Sequence, residues 1–125
     1  MSDLLVDTHA LLWWLSDDPA LPETARGLIG DPGNEPMISV ASVWEIAIES
    51  GAGTLEAPAD LLDTIRSEGF TLLPIEPEDA WAVAELPQHH RDPFDRILLS
   101  QALARGLPII TDDPRFSQYP VAIRW

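Results

Sequence analysis

Apolar positions along this chain fall into two patterns: short continuous runs, and longer stretches where apolar residues recur every three or four positions. The runs predict strands at Leu4–Val6, Met37–Val40, Thr71–Ile75, Pro108–Thr111 and Val121–Arg124, since a strand buried on both faces needs only a brief apolar segment. One stretch of helical period opens at Pro22-Glu23 and places Leu21, Ala25, Leu28 and Ile29 on a shared face; another runs from Ser42 to about Ser50. Pro58–Glu68 carries Leu61, Leu62 and Ile65, Pro77–Leu86 repeats the pattern, and Pro93–Arg105 carries Phe94, Ile97, Leu98, Ala102 and Leu103. Prolines at helix starts, with Gly69 and Gly106 just past helix ends, mark the boundaries, because proline lacks an amide hydrogen that the first turn leaves unpaired anyway.

Strands that alternate with helices predict βαβ units around a parallel sheet, so the expected class is α/β with a central parallel sheet of four to five strands. Gly30–Asn34 and Gly51–Gly53 read as turns, and neither a repeat nor a low-complexity segment occurs. With 46% hydrophobic residues, residues 1–125 are expected to form a single domain around one core system.

Composition narrows the chemistry. Cysteine is absent, so disulfides, thiolate metal sites and cysteine nucleophiles are excluded and any metal must be held by oxygen or histidine. The start, Met1-Ser2-Asp3-Leu4-Leu5-Val6, lacks the pattern of a signal peptide, and no run approaches the roughly 20 apolar residues of a membrane span, so the expected location is cytoplasmic. Twenty-one acidic residues against seven arginines and no lysine give a net charge of −14, which repels polyanions over most of the surface. A protein of this charge that handles nucleic acid needs bound divalent cations or a basic partner.

In an open parallel sheet, ligands bind beyond the carboxyl ends of the strands. Those positions are acidic here: Asp7-Thr8-His9 follows the first strand, Ser42-Val43-Trp44-Glu45 the second and Thr111-Asp112-Asp113 the fourth, while Asp92 and Asp95 open the helix before it. Each group also has a local reading. Ser42-x-x-Glu45 fits a capping box, Asp92-Pro93-Phe94-Asp95 an N-cap followed by proline, and Asp113-Pro114 repeats the cap-then-proline pattern. Together, however, converging carboxylates repel one another unless a cation joins them, and hard oxygen donors select Mg²⁺ or Mn²⁺.

Four segments resemble the PIN-domain ribonucleases, specifically VapC-type toxins of type II toxin-antitoxin pairs. They are Leu5–Trp13, Ser39–Ile48, His90–Leu98 and Thr111–Phe116, in order and across essentially the whole chain. The resemblance implies a three-layer α/β/α PIN-like domain with strand three at a sheet edge, and an Mg²⁺-dependent endoribonuclease that cleaves RNA phosphodiester bonds through metal-activated water. It assigns Asp7, Glu45, Asp95 and Asp113 as catalytic and metal-site carboxylates, with Asp7 and Asp95 the foremost ligands and Asp112 ranked below Asp113. Asp92 becomes the cap that aims Asp95. Thr111, Arg96 and Arg115 become candidates for positioning water or phosphate. It further implies a homodimer and a small antitoxin whose basic segment enters the acidic site. Relatives often carry a lysine after the second acidic helix, where this chain has Glu49 and Thr54. A degenerate PIN domain that binds RNA or a partner without cleavage is the alternative.

Other residues receive plainer readings. Glu76, Glu78 and Asp79 read as a solvated helix start. His9 reads as a structural or partly exposed group, and adjacent His89 and His90, which lack helical metal spacing, as a surface loop. Trp13 and Trp14 lie about 100° apart on a helix and cannot both face one core. Trp44, Trp81 and Trp125 read as core or interface anchors, since no basic residues interleave with them. A receiver-like phosphorylation module requires a lysine that this chain lacks. A phosphatase with a nucleophilic aspartate wants a second acid two residues on, where His9 stands.

Overall fold

A computed structural model describes residues 2–125. Five strands, β1 (Ser2–Val6), β2 (Asn34–Ser39), β3 (Thr71–Leu73), β4 (Ile109–Ile110) and β5 (Ile123–Arg124), form one all-parallel sheet in the order β3-β2-β1-β4-β5. Helices α1 (Thr8–Leu15), α2 (Glu23–Gly30), α3 (Val40–Gly51), α4 (Leu61–Ser67), α5 (Pro77–Ala82) and α6 (Pro93–Arg105) supply the crossovers, with 3-10 turns at Val83–Glu85 and Pro114–Gln118. This is the parallel α/β layering expected from the alternation, in the three-layer α/β/α form that the resemblance implies. β3 is an edge strand, and β3, β4 and β5 are shorter than their apolar runs.

Side-chain alternation along the strands divides the core in two. Leu4, Val6, Ile38 and Ile110 join the face covered by α1 to α4, together with Leu11, Ala25, Ile46 and Ile65. Leu5, Leu73 and Ile109 join the opposite face with Leu98, Leu99, Ala102 and Phe116. Leu5, Val6, Ile109 and Ile110 are fully buried, as central parallel strands covered on both faces must be. α6 ends at Gly106, whose φ of 64° is the left-handed conformation that closes a helix without a Cβ penalty.

One acidic helix start departs from its expected role. Glu76 and Glu78 are exposed, but Asp79 is only 3% exposed. Its two oxygens accept from Arg105 of α6 at 2.8 and 2.9 Å, and Oδ2 also accepts the Glu76 N–H at 2.9 Å. The hydrogen-bonded Arg105 guanidinium therefore holds this carboxyl below its ordinary value, against the opposing effect of burial. A depressed carboxyl contributes stability that is present above its unfolded value and lost as pH falls through its folded value. Urea unfolding of Arg105→Met is accordingly expected to show a loss of about 2 kcal/mol at neutral pH. The difference from wild type will shrink below pH 3.8, the ordinary value of the group. A difference that stays constant down to acid would show that the pair does not stabilise the fold.

Candidate active site

Because all five strands are parallel, their carboxyl ends share one edge, and the strand order reverses where β1 meets β4. The crevice at such a reversal is where open α/β sheets place their sites. A cavity of about 390 Å³ opens here, lined by six acids: Asp7, Glu45, Asp92, Asp95, Asp112 and Asp113. The four carboxylates expected from the sequence are thus brought together from β1, α3, α6 and the end of β4.

Asp7, the first residue beyond β1, is 6% exposed and caps α1, accepting the Ala10 N–H at 2.8 Å. Its other oxygen accepts from the Thr111 hydroxyl, which in turn accepts the Asp113 N–H at 3.1 Å. Burial nevertheless pushes the Asp7 carboxyl up, the Thr111 and Ala10 hydrogen bonds only partly offsetting it. Thr111 is fully buried and its oxygen is already engaged, so it positions a carboxylate; the expectation that it would position water or phosphate directly is corrected.

Glu45 also differs from its local reading. α3 is capped by Ser39, which accepts the Ala41 N–H at 3.0 Å, so Ser42 and Glu45 lie inside the helix and form no capping box. Both turn toward α1. Thr8 Oγ1 donates to Glu45 Oε1 at 2.7 Å and lies 2.9 Å from Ser42 Oγ, which makes Ser42 the donor of that second contact. Glu45 is half-buried, and burial raises its carboxyl above the ordinary range.

Asp92 caps α6 as expected, its Oδ1 accepting the N–H groups of Phe94 at 2.8 Å and Asp95 at 3.2 Å. This sets Asp95 on the first turn, where its carboxyl is pushed up to about 8 by burial first, and then by the charges of Asp92, Glu45, Asp7 and Asp113. Asp95 is therefore mostly protonated at neutral pH unless a cation offsets its neighbours. Asp113 caps the 3-10 turn at Pro114–Gln118. Arg115 binds both its oxygens, with the closest contact at 2.8 Å, and holds this carboxyl below the ordinary range. Asp112 is exposed and Asp113 half-buried; both reach the cavity.

Two basic candidates separate. Arg115 is exposed at the cavity rim. Arg96 is not available to phosphate: it is 7% exposed, and its guanidinium donates to the carbonyls of Val83, Leu86, Pro87 and His90 at 2.9 to 3.2 Å. The sequence expectation for Arg96 is corrected on that ground. His9 and Trp13 line the cavity, their rings 6.0 Å apart, and Trp14 packs edge-on against Phe70. Trp125 packs against the core, whereas Trp44 and Trp81 are 59% and 82% exposed and anchor no core.

The surface-loop reading holds for His89 and fails for His90. His90 is 1% exposed, its Nε2 2.7 Å from Asp95 Oδ2 and 3.7 Å from Asp113 Oδ2. Burial, aided by Arg115, lowers its ring below the ordinary value against the opposing charges of Asp113 and Asp92. Sequence reasoning missed this histidine. Its only signal was position, two residues ahead of the cap that aims Asp95.

The donor set fits a hard divalent cation. Its oxygens come from carboxylates, and Asp95 and Asp113 bring one oxygen each within 4.8 Å of one another. The raised Asp95 carboxyl marks a place where positive charge is wanting.

The PIN domain family model matches residues 4–122 of the chain. Ribonuclease VapC22 of Mycobacterium tuberculosis is 25% identical over 127 aligned positions, which cover 95% of this chain and 93% of that protein. Among solved structures, the fold is similar to a chain of VapBC2 from Rickettsia felis bound to a promoter DNA fragment. The TM-score is 0.72 at 14% identity, over 97% of this chain and 96% of that one. It is also similar to a chain of DNA-bound VapBC from Salmonella typhimurium, with a TM-score of 0.67 at 22% identity over 98% and 97% of the two chains. The acid-lined crevice at the β1–β4 reversal and the match along nearly the full length agree: the chain belongs to the PIN domain family.

Proposed function

We propose that this protein is a divalent-metal-dependent endoribonuclease and the toxin of a toxin-antitoxin pair. The observation that carries the reading is the convergence of Asp7, Glu45, Asp95 and Asp113 on one cavity, where burial and then the neighbouring acids push Asp95 up to about 8. The name of the Mycobacterium tuberculosis relative and the toxin-antitoxin complexes among the similar structures support it. Asp7 and Asp95 are the foremost ligands for Mg²⁺ or Mn²⁺, with Glu45 and Asp113 completing the set. When bound, the ion supplies Lewis-acid polarisation of a phosphodiester and lowers the cost of ionising water.

The chain's own residues do the rest. Thr111 and the Ala10 amide fix both oxygens of Asp7. Thr8 fixes Oε1 of Glu45 and leaves Oε2 to take a proton or meet the ion. We assign to Arg115, exposed at the rim and paired with Asp113 through Nε and Nη2, a contact to a phosphate of the RNA through its remaining nitrogen.

A net charge of −14 favours a basic partner, and we assign that role to a small antitoxin with a basic segment, acting on a homodimer of this chain in the cytoplasm. Among the described residues no helix is long and apolar enough to cross a membrane.

The test is cleavage of a structured RNA by the purified protein with Mg²⁺. Cutting is expected to stop on chelation, to return with Mn²⁺, and to stop again when the basic polypeptide encoded beside it is added at low salt. Cutting that continues in excess chelator would overturn the metal-dependent reading. A neighbour that neither binds nor inhibits would overturn the pairing.

A further inference from the structure

Of the four carboxylates assigned to the metal site, three have an aligned side-chain donor. Thr111 serves Asp7, Thr8 serves Glu45 and Arg115 serves Asp113. Asp95 accepts none, although it is the acid most crowded by other carboxylates. The polar group facing it is His90.

The surroundings of His90 determine what its ring can do. Nδ1 accepts the Asp92 N–H at 3.3 Å, so that nitrogen carries a lone pair and the hydrogen of the neutral ring sits on Nε2. The ring packs edge-on against Phe116, its centroid 5.8 Å away. The His90 N–H donates to Tyr119 Oη at 2.9 Å, and its carbonyl accepts from Arg96 at 3.0 Å. Nε2 is fully buried and has no aligned hydrogen-bond partner, since Asp95 Oδ2 lies 2.7 Å away but off the N–H axis. In this tautomer Nε2 has no lone pair and cannot ligate a metal. It is a buried donor with no aligned acceptor, and the nearest oxygen is Asp95 Oδ2.

We propose that His90 is a positioning residue for the cation site: its buried, unpartnered Nε2–H, 2.7 Å from Asp95 Oδ2, takes that oxygen as its acceptor when the divalent ion binds, which leaves the other oxygen of the carboxylate for the ion. An uncharged donor suits this task. It favours the ionised carboxylate without adding positive charge that would compete with the ion, as an arginine or lysine would. The inference rests on the reading above that these acids hold such an ion.

Calorimetric titration with Mn²⁺ alone, on folded protein without RNA, tests it in His90→Gln, which keeps an amide donor near the Nε2 position, and His90→Leu, which removes the donor. His90→Leu is expected to bind Mn²⁺ about 10- to 100-fold more weakly than wild type, with His90→Gln within about threefold, as for other partners of metal-ligating side chains. Equal affinity in His90→Leu would overturn the positioning role and leave metal binding intact, whereas wild type that binds no Mn²⁺ would overturn the metal reading beneath it.

If His90→Leu fails to fold, wild type labelled with ¹⁵N decides. On titration with Mg²⁺, the His90 Nε2 signal should keep its bonded proton and shift with the same midpoint as a calorimetric titration with Mg²⁺. A nitrogen that loses its proton on Mg²⁺ addition, or one that does not respond, would overturn the proposal.

Discussion

Asp95→Asn will abolish RNA cleavage while making the metal-free protein more stable, two effects of opposite sign from one atom exchange. The loss follows from removing a charged ligand at the centre of the acid cluster. Several kcal/mol of charge stabilisation at the reacting phosphate corresponds to a fall of about 10³-fold or more in rate. Asp7→Asn should lose activity to a similar extent, since the proposed function makes Asp7 the other foremost ligand. The gain in stability follows from the energetics of the unligated cluster. The Asp95 carboxyl is pushed from its ordinary 3.8 to about 8 by burial and by four neighbouring acids, so ionising it costs the folded state more than the unfolded one.

The sign fixes the pH window. A carboxyl raised in the folded state imposes a penalty that is absent below its unfolded value, grows between the two values, and is constant above the folded one. The melting temperature of Asp95→Asn should therefore match wild type near pH 3.8 and exceed it increasingly toward pH 8. The advantage should disappear when Mg²⁺ saturates the wild type, because ligand binding stabilises only the form that binds. Cleavage at the wild-type rate would remove Asp95 from the site. A lower melting temperature at neutral pH would show that its charge is satisfied by groups other than those facing it.

The second large effect belongs to Arg96, and it is structural. Arg96→Ala is expected to destabilise the fold by about 4 kcal/mol, because a buried guanidinium that satisfies four carbonyls leaves them unpaired when removed, at roughly 1 kcal/mol or more each. Against a typical total of about 5–15 kcal/mol this lowers the melting temperature by roughly 15 °C. Arg96→Lys should recover only part of the loss, since a point-like ammonium cannot span the carbonyls of Val83, Leu86, Pro87 and His90 as a planar fork does. The same variant should weaken Mn²⁺ binding, because the segment anchored by Arg96 carries His90. Unchanged melting with weakened RNA affinity would instead make Arg96 a phosphate contact.

Both predictions turn on the difference between what neighbours in sequence impose and what neighbours in space impose. The local part was legible. Apolar runs and three-to-four periodicity marked all five strands and most helices, since burial of a strand or a helix face is written in the spacing of the apolar residues themselves. Asp92-Pro93 and Gly106 marked the ends of α6 because a cap or a left-handed terminus involves atoms within a few residues. Helix edges shifted where flanking turns intervened, as at α4, which begins at Leu61 rather than Pro58.

The acid site was legible for a related reason. In a parallel sheet the carboxyl ends of all strands must lie on one side, so acids that follow several strands are obliged to meet, and the four that the resemblance singled out all line the one cavity. The partners of those acids were a different matter. Ser42 and Glu45 fit a capping box by spacing, yet they hydrogen-bond Thr8, 34 and 37 residues away. Asp79 looked solvated until α6 brought Arg105 to it across 26 residues. Arg96 looked free for phosphate until the segment from Val83 to His90 folded over its guanidinium, and His90 looked exposed until that segment carried it beside Asp95.

The sequence by itself thus determined the parallel α/β layering, the shared edge and the set of acids on it. These follow from burial periodicity and strand polarity, which local composition controls. Only the tertiary structure decided which donor holds each acid. A polar side chain has the same identity whether it meets water, a carbonyl or a carboxylate, and its choice is made by whichever distant segment packs against it.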